Sequence, residues 1–363
     1  MKRFRGVGIL PLLVPFFLFP ALFSCTIPGR GRGECSPEQV GRQVIENLLA
    51  RPDLMIYQTP QAHGIHYAEA CAGFGAARLA GALKDPVLLK KLVQRYAIER
   101  TDTIPNSANH VDVNVYGILP LELYRVGMGT AFREQGMRLA DGQWEDPLPD
   151  GLTRQVRFWI DDIWMIASLQ VQAYRVTGEA EYLERTARVV AAYLERLQQP
   201  NGLFYHGTDG PFFWGRGNGW VAAGLAELLT ELPQSDLHYS AILEGYSRMM
   251  KALLRHQGED GLWGQLIDHP GSFRETSGSA MFGYAMQVGV QQGLLPRRPY
   301  RRAVDRAWKG LGRYLNEDGT LREVCVGTGQ STDVNFYLTR PRVTGDLHGQ
   351  APMLWFAASL LTE

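Results

Sequence analysis

The 363-residue chain carries 37 Lys+Arg against 37 Asp+Glu, a formal net charge of zero, and 45% of its residues are hydrophobic. That balance excludes a disordered chain, a collagen-like repeat and a basic nucleic-acid binder. Forty Gly and eight Trp indicate many turns and much aromatic surface, so the domain count has to come from the pattern along the chain.

Lys2, Arg3 and Arg5 precede an uncharged apolar run over 7–23, interrupted by Pro11, Pro15 and Pro20. A basic start followed by an apolar run shorter than the roughly 20 residues that span a bilayer describes a secretory leader over 1–24. Leu22-Phe23-Ser24-Cys25 resembles a bacterial lipobox. It implies an exported bacterial protein, periplasmic or held at a membrane by a lipid anchor on Cys25. Plain secretion with an ordinary buried Cys25 is the alternative. Removing 1–24 takes away three basic residues and leaves 34 basic against 37 acidic. The remaining cysteines, Cys35, Cys71 and Cys325, have neither metal-knuckle nor redox spacing and read as structural. Residues 25–36 read as a tether, and 37–363 as a single domain.

From residue 37 onward the apolar period is helical over 37–50, 68–83, 85–100, 111–126, 159–176, 179–197, 219–232, 235–257, 276–293 and 300–315. No segment reads as a strand. Between helices a tetrad recurs: Asp141-Gly-Gln-Trp144, Asn201-Gly-Leu-Phe204, Asp260-Gly-Leu-Trp263 and Asp318-Gly-Thr-Leu321, starting 60, 59 and 58 residues apart. Asp/Asn-Gly supplies a turn with positive φ, and the following apolar residue plugs the helices it joins. One period holds two helices, and about six fit the chain after the leader. The fold class expected is all-α, an (α/α)6 barrel, with an open helical solenoid as the alternative.

If each period runs down one helix and up the next, one end of the barrel collects the tetrads and the opening turns of the helices after them. Asp112 with His110 and Asn114, Trp159-Ile-Asp161-Asp162, His206, Trp214-Gly-Arg216-Gly-Asn218-Gly-Trp220 and Glu275 all fall there, as do Trp144 and Trp263. Asp161 lies between Trp159 and Trp164, and desolvation by indoles raises a carboxyl pKa toward that of a general acid at neutral pH. Asp162 is as well explained by a first-turn helix role. Two carboxylates across a mouth, Asp161 and Asp112, can divide proton donation from water positioning. In 214–220 the glycines permit close backbone approach, Arg216 offers a fork for a carboxylate and the two Trp offer stacking walls. The segment lacks the Lys-Ser/Thr of a P-loop, which argues against a nucleotide. His206 reads equally as a ligand contact or a buried structural histidine. No His, Cys and carboxylate cluster has metal-ligand spacing.

Asp112-Val-Asn-Val-Tyr-Gly117, Trp159-Ile-Asp-Asp-Ile-Trp-Met165, Gly202-Leu-Phe-Tyr-His-Gly207, Trp214-Gly-Arg-Gly-Asn-Gly-Trp220 and Gly345-Asp-Leu-His-Gly349 together resemble glycoside hydrolase families 88 and 105, the unsaturated glucuronyl and rhamnogalacturonyl hydrolases, and family 105 more closely. The resemblance implies an (α/α)6 barrel that removes the 4,5-unsaturated uronic acid from the non-reducing end of lyase-generated oligosaccharides, without metal or organic cofactor. An Asp protonates C4 of the enol ether, water adds at C5, and the hemiketal rearranges and expels the remaining sugar. By position, Asp161 would be the acid and then the base, with Asp112 its partner. His206, Arg216, Asn218, Trp159, Trp214 and Trp220 would hold the sugar, and Arg216 or His206 its carboxylate. Unsaturated galacturonyl-rhamnose from rhamnogalacturonan is the substrate expected first. An unsaturated glucuronyl substrate, a sugar epimerase on the same toroid and a non-catalytic lipoprotein that captures acidic oligosaccharides are the alternatives. The sequence sets no oligomeric state.

Overall fold

The computed structural model describes residues 36–60, 62–106 and 110–362; the leader, Cys25 and the tether up to Cys35 lie outside the described residues. Among the described residues, twelve helices of eight residues or more alternate between an outer and an inner ring. In chain order they are α1 (Pro37–Ala50, outer), α2 (Tyr67–Ala82, inner), α3 (Pro86–Arg95, outer), α4 (Ile118–Arg125, inner), α5 (Thr130–Gly142, outer) and α6 (Asp162–Thr177, inner). Then follow α7 (Glu181–Leu197, outer), α8 (Gly215–Glu231, inner), α9 (Tyr239–His256, outer), α10 (Thr276–Gln291, inner), α11 (Arg297–Gly312, outer) and α12 (Leu347–Leu361, inner). Inner α4 is extended toward its N-terminus by a helical turn, Val111–Asn114, and a 3-10 turn, Val115–Gly117. The inner ring closes because α12 packs against both α10 and α2. The fold is an (α/α)6 toroid, and the open solenoid is excluded.

Side-chain pattern explains the two rings. Outer helix α7 buries Tyr182, Leu183, Thr186, Ala187, Val189, Val190, Tyr193, Leu194 and Leu197, a face that recurs at three- and four-residue intervals. Inner α2 is rich in Ala and Gly and buried almost all round, since it touches helices on both flanks and in the outer ring. A helix packed on all sides has no polar stripe to fix its period. The sequence reading missed α5 and α12; α12 is apolar on every side and contains Pro352. It also began α8 at Gly219, whereas the helix starts at Gly215, and it began α6 at Trp159 rather than Asp162. Two short antiparallel ribbons, Ile56–Gln58 with His63–Ile65 and Val324–Cys325 with Arg342–Val343, were not expected. No described helix is long and apolar enough to cross a membrane.

Three of the four tetrads behave as read. Gly202, Gly261 and Gly319 have φ of +95°, +90° and +79°. In each, the preceding Asn201, Asp260 or Asp318 side chain accepts from the backbone N–H two residues on, at 2.9, 3.1 and 3.0 Å. A Cβ on these glycines would land on backbone of the next outer helix, at Arg248, Arg306 and Gln43 respectively. The plugs Leu203, Phe204, Leu262, Trp263 and Leu321 are all buried. The tetrad at Asp141 is a correction: Asp141 and Gly142 are the end of α5, not a turn of this kind. Its counterpart is Asp150-Gly151-Leu152, where Gly151 has φ +83° and Asp150 accepts from Leu152 N–H at 3.0 Å.

Candidate active site

All six inner helices, α4 with its extension, begin at the same end of the toroid, and each opening turn carries polar side chains. His66 and Tyr67 open α2, His110 and Asp112 the turn before α4, Asp161 and Asp162 α6, Trp214 and Arg216 α8, Glu275 α10, and Asp346 and His348 α12. The Tyr67 hydroxyl feels the charges of Asp112, Arg216, Asp161 and Asp346, so these openings surround one space. The positive ends of six helix dipoles converge there; His66, His110, Glu275 and Asp346 cap four of these N-termini, and those of α6 and α8 carry no side-chain cap, a setting that favours an anion.

Of the carboxylates at this end, Glu275 and Asp346 cap their own helices, and one cation sorts the other three, Asp112, Asp161 and Asp162. Arg157 donates to Asp162 through Nε at 2.9 Å and Nη2 at 2.6 Å, and to Asp112 through Nη1 at 3.2 Å and Nη2 at 3.3 Å. Asp162 also accepts from Tyr193 Oη at 2.6 Å and from the Arg157 backbone N–H at 3.0 Å. Phe158, at φ +54°, turns the chain between Arg157 and Trp159 and stacks on Tyr193 at 4.9 Å. Asp161 is left without a cation of its own. Burial pushes its carboxyl up to about 7, repulsion from Asp162 and Asp112 adds to this, and Arg157 and Arg216 oppose it. The side chain keeps 17% exposure. Its Oδ2 is buried without a partner, as is His206 Nε2, and the two atoms are 3.7 Å apart.

His206 is fully buried, with Trp159 edge-on at 5.6 Å, Trp214 at 4.5 Å and Nδ1 2.9 Å from Tyr337 Oη. Its loop is pinned by Ile160 N–H donating to the His206 carbonyl at 3.1 Å. The other residues of the 214–220 motif differ from their expected roles. Asn218 accepts from Phe204 N–H at 2.9 Å and donates to the Phe204 and Trp214 carbonyls at 2.9 and 3.1 Å, so it ties the His206 loop to α8 rather than reaching a sugar. The glycines admit protein instead of ligand: a Cβ on Gly215 would meet the Gly264 carbonyl, and one on Gly219 would meet Met281. Arg216 is buried and lies over Trp214 at 4.8 Å, with Nη1 donating to the Cys325 carbonyl and Nη2 to the Val326 carbonyl at 2.8 Å. Its terminal nitrogens are thus engaged, and among the described residues no carboxylate lies within ion-pair distance of it. It supplies positive charge from beneath the floor rather than an open fork. Trp214 donates to Gln265 at 3.2 Å, while Trp220 packs against Trp164, Trp355 and the edge of Tyr67. Of the tryptophans expected at the mouth, Trp159 stays half-buried there, and Trp263 is a core plug donating to the Leu253 carbonyl at 2.7 Å.

Sequence reasoning missed Arg157, Tyr67, Tyr337 and the pair Asp346 and His348. Asp346 accepts from His348 Nδ1 at 2.6 Å, and Tyr67 Oη lies 2.8 Å from His348 Nε2. Gly345-Asp-Leu-His-Gly349 was noticed as a motif but given no role. Tyr337 has no local signal because its partner His206 is 131 residues away; Arg157 has Asp162 only five residues on, but its second partner, Asp112, is 45 residues away and the bridging role between the two is invisible in the local sequence. Among the described residues no group of three or more His, Cys, Asp or Glu could hold a metal ion.

With this geometry in place, comparison with known proteins gives the class. The model of glycosyl hydrolase family 88 matches residues 45–363, and the chain belongs to that family. An unsaturated 3S-rhamnoglycuronyl hydrolase of Formosa agariphila is 38% identical over 127 residues, 34% of this chain and 32% of that protein. An unsaturated rhamnogalacturonyl hydrolase of Bacillus subtilis is 29% identical over 213 residues, 56% of this chain and 59% of that protein. The chain thus spans from about a third to three fifths of the length of these two curated relatives. Among solved structures, a family 105 glycoside hydrolase from C. acetobutylicum superposes with a TM-score of 0.76 at 20% identity, covering 89% of this chain and 99% of that one. The unsaturated glucuronyl hydrolase from Bacillus sp. GL1 gives 0.66 at 17% identity, covering 89% and 96%. Both share the toroid.

Proposed function

We propose that the protein removes a 4,5-unsaturated uronic acid from the non-reducing end of acidic oligosaccharides. The observation that carries this reading is the division among the three carboxylates: Arg157 engages Asp112 and Asp162, and Asp161 alone is unpaired, desolvated and raised to about 7. An enol ether needs a proton delivered to carbon, and a carboxyl that keeps its proton near neutral pH suits that task. Asp161 gives its proton to C4, water adds its oxygen to C5, and the ionised Asp161 takes the proton that the water releases. The resulting C5 hemiketal opens and releases the remaining sugar, so the sum is one water consumed per glycosidic bond. Asp112, held by Arg157, lies close enough to influence Asp161, which supports it as the partner carboxylate. The converging helix N-termini and buried Arg216 favour the substrate carboxylate.

Unsaturated galacturonyl-rhamnose is the substrate this reading puts first. The names of both curated relatives join an unsaturated uronide to rhamnose, which supports that leaving sugar. The test is to incubate the purified protein with lyase products of pectin, arabinogalactan and glycosaminoglycans and follow the ultraviolet absorbance of the C4=C5 bond. Loss on the rhamnogalacturonan product is expected; faster loss on glucuronyl products favours the second substrate. Binding without any loss contradicts catalysis.

A further inference from the structure

The acid of the proposed reaction has two oxygens in different surroundings, and the structure bears on which of them carries the proton. Asp161 Oδ2 is buried and faces His206 Nε2. Oδ1 has no protein partner among the described residues and is not among the buried orphaned atoms, so it is the oxygen open to the cleft. What Oδ2 meets depends on the tautomer of His206, and the tautomer depends on what Nδ1 meets. Nδ1 meets Tyr337 Oη at 2.9 Å.

Hydrogen-bond accounting settles the direction at Tyr337. Its hydroxyl already accepts from Ser331 N–H at 3.2 Å, and its own proton has one acceptor nearby, Nδ1 of His206. If Nδ1 carried a proton instead, the buried Tyr337 hydroxyl hydrogen would have no partner, which is unfavourable in a buried site. With Tyr337 donating, Nε2 carries the hydrogen on the side that faces Oδ2, 3.7 Å away and just beyond direct hydrogen-bond distance.

We infer that Tyr337 is a positioning residue for the acid: it fixes His206 as the Nε2–H tautomer, which reserves Asp161 Oδ2 as an acceptor and confines the transferable proton to Oδ1, at the cleft. The inference rests on Asp161 being the acid of the proposed reaction. It gives His206 a role distinct from sugar binding, consistent with its complete burial. Burial, with repulsion from Arg216, holds His206 down to about 3, so its imidazole stays neutral across the working range and the tautomer is the variable that matters. The other groups facing Asp161 are Asp162 on its own helix, Arg157 from the preceding loop, Asp112 from the turn before α4, Arg216 from α8 and Tyr67 from α2. None of them meets Nδ1, so Tyr337 alone sets the tautomer.

Tyr337→Phe removes the donor and keeps the ring that packs on Phe212 and Trp214. In the variant Nδ1 can take the proton, Nε2 then accepts from Oδ2, and the acid's proton is drawn away from substrate. The expected result is a kcat at least about tenfold lower with KM within about twofold of wild type. The basic limb of the pH profile moves upward, because the protonated acid gains an acceptor. A structural role alone would lower the melting temperature and leave that limb in place. Nitrogen-15 NMR of His206 in the wild type provides a reading independent of turnover and of how the variant folds: Nδ1 unprotonated and Nε2 protonated is expected. An Nδ1–H tautomer in the wild type overturns the inference whatever the activity, as does a folded Tyr337→Phe with unchanged kcat and pH profile. Wild-type protein inactive on every unsaturated uronide contradicts the proposed reaction instead.

Discussion

Asp161 and Asp162 are neighbours in sequence with opposite fates, and the difference is one guanidinium. Arg157 binds Asp162 through two nitrogens and continues to Asp112, while Asp161 faces a neutral imidazole. The sequence made Asp161 and Asp112 legible because indoles and a motif surround them. It left Asp162 between roles, because a first-turn Asp has a generic explanation. Arg157 was not legible: Asp162 is only five residues on, but an Arg in a loop carries no signal as a bridge until folding brings residue 112 to it as well. Replacing it makes its function measurable. Arg157→Gln leaves two carboxylates without their cation and removes an influence that lowers Asp161. The basic limb of kcat/KM against pH is therefore expected to move upward, with the maximum about tenfold or more lower as Asp112 loses its orientation. An unchanged limb would show that Arg157 does not tune the acid.

Five of the six outer helices were readable in the chain, and so were three of the four turns. Inner α12 was missed for a physical reason, since a helix packed on nearly all sides loses the polar stripe that gives a period its phase; outer α5 was missed although it is amphipathic. The tetrads compensate, since Asn201, Asp260 and Asp318 each close a turn onto the next outer helix, the last of them onto α1 at the start of the ring. The Asp141 tetrad misled because Asp-Gly also ends a helix, and the true counterpart at Gly151 is followed by Leu152-Thr153 rather than by an aromatic. Gly261 tests the turn directly. Its φ of +90° and the Arg306 backbone beneath it leave no room for a methyl group. Gly261→Ala is expected to lose about 2–4 kcal/mol in chemical denaturation; a loss within error of zero would mean that the turn is not under this constraint.

At the scale of the molecule the two ends of the toroid are built differently. At the end where the inner helices finish, a cavity of about 360 Å³ is lined by Arg78, Arg175, Glu227, Glu231 and Tyr284. Charges there are matched. Burial would raise Glu227, yet Arg78 at 2.5 Å and Arg175 at 2.7 Å hold it well below the usual carboxylate range. At the opposite end six helix dipoles, an Arg216 with no carboxylate at ion-pair distance among the described residues and an unpaired Asp161 concentrate positive charge and a raised carboxyl, which suits an acidic substrate. The chain as a whole is neutral, so attraction for such a substrate is local to this end. The most direct measurement is kcat/KM against pH for wild type and Asp161→Asn on an unsaturated galacturonyl-rhamnose disaccharide, with folding checked by circular dichroism. The account predicts a wild-type rate that falls above a pKa of about 7 and a folded Asp161→Asn slower by about 10²–10⁴. A folded Asp161→Asn with wild-type turnover, or the same basic limb in both proteins, would contradict it.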